Sequence, residues 1–248
     1  MMRGVIFDLG STLIYSGNDH DWNAVLPRMR QDLLEHLLTA GYALDPQAFL
    51  NRFSAKVHEF NQQRQTDWVE YTTAWMLKTT LEELGAPPPS PEFVAEALRT
   101  YYAYSESLWQ LMPAVHETLE RLAAAGLKLG IISNAGDDAN VQRLIDNAHL
   151  RHYFDPIIVS AAVGIRKPNP KIFELVWKPW GLAPGECVMV GDTLGADILG
   201  AQLAGLHDVW LTTHGDHPAN YAHTGNIIPK WRIANLAELP ALLSRLSA

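Results

Sequence analysis

Four short stretches of this 248-residue sequence carry side chains suited to transferring a phosphoryl group. In VIFDLGSTL an apolar run stops at Asp8 and is followed by Gly10, Ser11 and Thr12. LGIISN ends at Ser133 and Asn134, GIRKPNP holds Lys167, and CVMVGD ends at Asp192, with Asp197 five residues on in GDTLGAD. A carboxylate is a nucleophile, a hydroxyl and an amide bind oxygens, a lysine offsets negative charge, and a further acid can hold a hard cation. Taken singly, each has a plainer use: Asp8 as a turn residue, Ser133-Asn134 as a helix cap, Lys167 as a solvated loop lysine, Asp197 on an exposed helical face. Their placement argues for one site, because each cluster follows a predicted core strand.

The strands are recognised by composition. Val5-Ile6-Phe7 is apolar without alternation, as in a parallel sheet buried on both faces. Ligands of open α/β sheets gather outside the carboxyl ends of the strands, where Asp8 lies. From Pro113 onward helix and strand alternate: helix 114–125 closed by Gly126, strand LKLGIIS, helix 138–147, strand PIIVS, helix 170–180, strand CVMVG, helix 195–204 closed by Gly205, and strand HDVWLT. NLAELPALLSRLSA reads as an amphipathic terminal helix. The fold class is therefore α/β, a Rossmann-like parallel sheet with helices on both faces.

Between the first strand and Trp109 the texture is helical only. Trp22, Val25, Leu26, Met29, Leu33 and Leu37 recur at three- and four-residue steps before Gly41. Further helices are expected over 46–64 and 67–84, and a fourth starts at Ser90-Pro91-Glu92, an N-cap followed by proline. The expected organisation is a core of residues 1–16 and 110–248 with an inserted all-helical cap over 17–109. Trp22, Trp68, Trp75 and Trp109 are expected mostly in the core of the insert, one or two at a substrate entrance.

Charge and composition exclude other roles. A net charge of −8 argues against a nucleic-acid or anionic-membrane surface. No apolar run is long enough to span a bilayer, and MMRGVIFDLG enters a strand directly rather than reading as a secretion signal. The single cysteine, Cys187, opens a predicted buried strand and reads as packing, and a cytoplasmic setting fits. His207, His214, His217 and His223 lack convincing ligand spacing and read as a surface loop.

In order and identity the four motifs resemble those of the haloacid dehalogenase-like hydrolase superfamily. Asp8-Leu9-Gly10-Ser11-Thr12 matches its first motif, Ser133 its second, Lys167 in RKPNPKIF its third, and Asp192 with Asp197 its fourth. The resemblance implies a sheet of strand order 5-4-1-2-3 with a helical cap after the first strand. It implies Asp8 as nucleophile and Lys167 as its partner, with phosphate held by Ser133, the Asn134 backbone and Lys167. It also implies Mg²⁺ bound by Asp8, Asp192 and the Gly10 carbonyl, with Thr12 and Asp197 supporting. The expected partner is a small phosphorylated molecule, and the chain is expected to be a monomer or homodimer. The implied activity is that of a phosphatase; the alternative is a weak or inactive member that binds a phospholigand.

One position departs from the family pattern. Its second aspartate, which gives a proton to the leaving oxygen and takes one from water, is replaced by Gly10. A positioned acid/base contributes about 10² to 10⁴ in rate. Three outcomes are open: a slow phosphatase for good leaving groups, a proton donor elsewhere, with Asp19, His20 and Asp21 as candidates, or binding without turnover. In dehalogenases of the family an aromatic replaces that aspartate and the metal acid is missing, which Gly10 with Asp192 does not match.

Overall fold

The computed structural model describes residues 1–16, 22–213 and 218–247. Six parallel strands form its main sheet: β1 (Gly4–Phe7), β4 (Lys128–Ser133), β5 (Ile157–Val159), β6 (Cys187–Gly191), β7 (His207–Leu211) and β8 (Trp231–Ile233), in the order β5-β4-β1-β6-β7-β8. Counted among themselves these strands run 3-2-1-4-5-6. That is the expected 5-4-1-2-3 order with one more strand outside the fifth. β8 is the three-residue segment WRI, whose central arginine breaks any apolar run.

Burial of β1 on both sides follows its composition. Val5 and Phe7 join Ile131, Val188 and Val190 on one face, while Ile6 joins Ile132, Cys187 and Met189 on the other. Cys187 is packing, as expected, and burial pushes its thiol up to about 12. α5 (Val115–Ala124), α6 (Asp138–Asn147) and α11 (Leu239–Ser247) cover the first face; α8 (Pro170–Trp177) and α9 (Leu199–Leu203) cover the second.

Four helices intervene between residues 22 and 106: α1 (Trp22–Thr39), α2 (Pro46–Asp67), α3 (Thr73–Glu83) and α4 (Pro91–Glu106). The side-chain oxygens of Asp45, Thr72 and Ser90 accept from backbone N–H groups of α2, α3 and α4. Their shared core is aliphatic and phenylalanine-rich, with Leu33, Leu37, Phe49, Phe53, Leu77 and Leu81 fully buried. The tryptophans differ from expectation: Trp22, Trp68 and Trp109 are half-buried and Trp75 is exposed. The indole's polar edge and bulk suit the rim of this small core better than its centre.

The chain leaves and re-enters the sheet region through a two-stranded antiparallel ribbon, β2 (Ile14–Ser16) paired with β3 (Trp109–Leu111). The 109/110 seam drawn from the sequence falls inside β3. A second contact joins the insert to the sheet domain: Glu70 N donates to Gly164 O (3.0 Å), Arg166 N to Trp68 O (3.1 Å) and Thr73 N to Gly136 O (2.8 Å). A Cβ at Gly136 would lie 2.7 Å from Thr73 Oγ1, so glycine permits this approach. No helix among the described residues is long and apolar enough to cross a membrane.

Candidate active site

Asp8 follows β1 directly, and the central position of β1 sets the geometry. Lys167 Nζ lies 2.6 Å from Asp8 Oδ1, 2.7 Å from Asp197 Oδ1 and 2.7 Å from the carbonyl oxygen of Ile132 at the end of β4. The ammonium donates to Asp8 and Ile132 and forms an ion pair with Asp197. The Asn134 side chain fixes the lysine backbone from both sides: its Nδ2 donates to Lys167 O and its Oδ1 accepts from Lys167 N, each at 2.9 Å. The Asn134 side-chain amide is thus engaged with the Lys167 backbone.

The loop after β6 winds into a π-helical turn, Leu194–Ile198, where the sequence predicts ordinary helix. This wider turn carries Asp197 back under the site, its Oδ2 accepting from Thr193 N at 2.9 Å. Gly191 makes room for it, since a Cβ there would lie 2.3 Å from Asp197 Oδ2. Asn220, which sequence reasoning missed, clamps the same loop. Its Nδ2 donates to Asp192 O (3.0 Å) and its Oδ1 accepts from Leu194 N (2.7 Å).

Asp8, Asp192 and Asp197 each offer an oxygen within 4.8 Å of the others. Two unit charges at that spacing repel by roughly 3 kcal/mol at an effective dielectric of 20. Lys167 is the single cation placed among them. Burial, only partly offset by Lys167, pushes the Asp8 carboxyl up to about 6. Burial, and after it the charges of Asp8 and Asp197, raise Asp192 well above the carboxylate range. Lys167 is raised, because the two carboxylates that hold its ammonium outweigh the opposing effect of burial, the largest single influence on it.

This excess of buried negative oxygen suits a divalent cation. Both oxygens of Asp197 are taken by Lys167 and Thr193, which points to Asp8 and Asp192 as the free carboxylates. An all-oxygen donor set fits Mg²⁺ better than a softer metal.

A cavity of about 350 Å³ opens over these groups. Asp8, Gly10, Ser133, Asn134, Lys167, Asp192 and Asp197 all line it, so seven of the eight residues singled out in the sequence meet at one place. Thr12 does not line it; the residue is fully buried and its hydroxyl has no hydrogen-bond partner. Gly10 has no positive φ, and a Cβ there would meet the Trp109 ring at 3.5 Å, ordinary contact. Trp109 lines the cavity beside this glycine. Asp19, His20, Asp21, His214 and His217 lie outside the described residues. Arg166 and Asn140 also line the cavity and were not singled out. Arg166 precedes Lys167 in sequence, which could have flagged it; nothing in the sequence marks Asn140.

The model of the haloacid dehalogenase-like hydrolases matches residues 2–205. A phosphoserine phosphatase from Thermus thermophilus is 32% identical over 158 residues, 58% of this chain and 61% of that protein's length. A glyceraldehyde 3-phosphate phosphatase from Pyrococcus furiosus is 25% identical over 242 residues, 98% of this chain and 92% of its own. Among solved structures, a HAD phosphatase from Thermococcus onnurineus superposes with a TM-score of 0.65 at 25% identity, covering 98% of both chains. A 2-haloacid dehalogenase from Pseudomonas syringae pv. Tomato DC3000 gives 0.68 at 25% identity, covering 99% of this chain and 100% of its own. The chain belongs to the haloacid dehalogenase-like hydrolases.

Proposed function

We propose that this hydrolase is a Mg²⁺-dependent phosphatase of a small phosphorylated metabolite, with residues 17–109 acting as a cap over the site. The observation that carries the reading is the placement of Asp8 at the floor of the cavity, held by Lys167 and flanked by Asp192 and Asp197. The names of the Thermus and Pyrococcus relatives support phosphoryl transfer. The dehalogenase likeness is weighed against the acid cluster, for which displacement of halide has no use.

Asp8 attacks phosphorus through the oxygen not held by Lys167. The bond to the leaving alkoxide oxygen breaks, and the phosphoryl group passes to the carboxylate as an acyl phosphate, which water then hydrolyses. Lys167 holds the nucleophile in place and keeps it anionic. Ser133, with the Asn134 backbone, binds phosphoryl oxygens at the end of β4. Asp8, Asp192 and the Gly10 carbonyl would hold Mg²⁺, which when bound offsets the charge of nucleophile and phosphate. Asp197 and Asn134 fix the lysine, and Asn220 fixes the loop that carries Asp192.

Nothing at Gly10 can protonate the leaving oxygen, and the carboxylates among the described lining residues are occupied in this cluster. Among simple model substrates, those whose leaving groups need little protonation, aryl and acyl phosphates, are expected to turn over fastest. Gly10 is also the feature that favours the second reading, a phospholigand-binding protein without turnover.

The test is hydrolysis of a panel of phosphate esters and acyl phosphates by protein with Mg²⁺ and by the same protein after chelation. Turnover should vanish with the chelator and return with Mg²⁺. Full activity in metal-free protein would overturn the mechanism, and absence of turnover with retained phosphate binding would favour the second reading.

A further inference from the structure

The polar groups nearest Asp8 are spoken for. Lys167 serves Asp8, Asp197 and Ile132 O, and the Asn134 side chain serves the Lys167 backbone. Besides Asp197 Oδ1, whose contact with Lys167 Nζ at 2.7 Å is an ion pair, two residues lining the cavity carry polar atoms shut off from solvent and without a hydrogen bond: Nη1 of Arg166 and Oδ1 of Asn140. Buried polar atoms are paired in the great majority of cases, so two exceptions on one cavity call for a physical reason.

Arg166 does have a charged neighbour, Glu70 of the insert. Nη1 stands 3.4 Å from Glu70 Oε2 without hydrogen-bond geometry, and that oxygen already accepts from Ser160 Oγ at 2.7 Å. Arg64 lies 3.6 Å from the other oxygen, and Asp67 adds a more distant negative charge. Glu70 is thus shared, and the Arg166 fork keeps an unused donor. Burial lowers the guanidinium only to about 10, so it stays charged at neutral pH. The remaining wall includes the apolar side chains of Ile14, Val141 and Leu144 and the indole of Trp109.

We propose that Arg166 and Asn140 form the subsite for the alcohol half of the substrate, and that this half carries a carboxylate with a hydroxyl or amine beside it. The inference rests on the phosphatase reading. A planar guanidinium matches a carboxylate with two parallel hydrogen bonds, which a lysine or a neutral amide does not reproduce. The Asn140 oxygen accepts from the neighbouring hydroxyl or amine. About 350 Å³ is room enough for a short phosphorylated acid.

Calorimetric titration of wild-type protein with Mg²⁺ tests the subsite with three non-hydrolysable probes of one chain length. These are propylphosphonate, 3-phosphonopropionate and 2-amino-3-phosphonopropionate. The carboxylate should tighten binding about tenfold or more, as a charged hydrogen-bonded pair does, and the amine should add several-fold. Arg166→Gln should abolish the first gain and Asn140→Leu only the second, whereas Glu70→Gln should preserve both. If Arg166→Gln fails to fold, Arg166→Lys should still lose most of the first gain.

Equal binding of the first two probes by the wild type would overturn the subsite. So would Arg166→Gln weakening all three alike, the behaviour of a mere tie to the insert. Turnover of p-nitrophenyl phosphate, followed in parallel, separates the two ideas. Turnover without probe preference sinks the subsite alone, and probe preference without turnover sinks the phosphatase reading alone.

Discussion

In the insert, Glu83 of α3 meets Arg52 and Lys56 of α2, and its carboxyl is held down to about 2, the hydrogen bond from Arg52 counting most. At the sheet edge, Asp8 meets Lys167 and is nevertheless pushed up to about 6. The difference is burial and company. Glu83 is 37% exposed and outnumbered by cations; Asp8 is 13% exposed and shares its one lysine with Asp197. Charge in the insert is arranged for the folded state, whereas charge at the site is arranged for something still to arrive. Stability given up where chemistry happens is a common pattern, and the comparison can be broken from either side.

The largest change expected is in rate. Gly10→Asp puts a proton donor beside the nucleophile, and its Cβ meets Trp109 in ordinary contact. Hydrolysis of alkyl phosphates should rise by up to about 10² to 10⁴, with aryl phosphates gaining much less. Steady-state rates across leaving groups of graded acidity read this directly. A well-folded variant with an unchanged slope would mean that the proton comes from elsewhere, with Asp19, His20 and Asp21 the next positions to mutate.

Next comes the core of the insert. Phe53 is fully buried, stacked on Phe49 and edge-on to Tyr101. Phe53→Ala should cost about 3 to 5 kcal/mol in chemical denaturation. A loss below 1 kcal/mol would show that the insert core is looser than its burial implies.

The electrostatic contrast gives opposite pH signatures. Between pH 4 and 6 the folded metal-free protein holds a proton on Asp8 that the unfolded chain has released, so stability must fall as pH rises through this window. The effect is at most about 3 kcal/mol, and the raised Asp192 adds in the same direction. Asp8→Asn should flatten this slope and raise the melting temperature at pH 7. Denaturation curves from pH 4 to 8 in chelator check it; stability rising with pH across the window would contradict the picture.

Glu83 behaves in the reverse sense and more weakly. Its stabilisation is present above the unfolded carboxyl value of 4.5 and is lost as pH falls towards 2. Because Glu83 is over a third exposed, screening leaves less than about 1 kcal/mol. Glu83→Gln should cost no more than that at pH 7 and nothing near pH 2. A loss of several kcal/mol would place Glu83 in a far drier setting than its exposure allows.

The same two regions differ in how far the sequence reveals them. Asp8, Ser133, Asp192 and Asp197 were legible because each ends or follows an unbroken apolar run that marks a buried strand, whereas Lys167, beyond the edge strand β5, was legible from the motif around it. Parallel strands then deliver their carboxyl ends to one edge. The helices of the insert were legible from periodicity and from caps such as Ser90. The ribbon β2/β3 and the outer strand β8 were not, since IYS, WQL and WRI hold polar residues and form no apolar run, unlike the equally short IIV of β5. Asp197 was found, but the π-helical turn that swings it onto Lys167 follows from packing under Gly191, which local propensity does not record. Thr12 illustrates the converse: a side chain in the right motif that packs away from the cavity. Arg166 and Asn140 matter only through what the fold brings against them, and neither has a composition signal.

The central claim is that Asp8 takes the phosphoryl group. Acid-quenching protein in steady-state turnover of an acyl or aryl phosphate, followed by proteolysis and mass spectrometry, locates that group. An acid-stable, base-labile phosphoryl group is expected on the peptide containing Asp8, lost in Asp8→Asn along with turnover. A phosphoryl group on Ser11 or Ser133, or turnover persisting in Asp8→Asn, would contradict it.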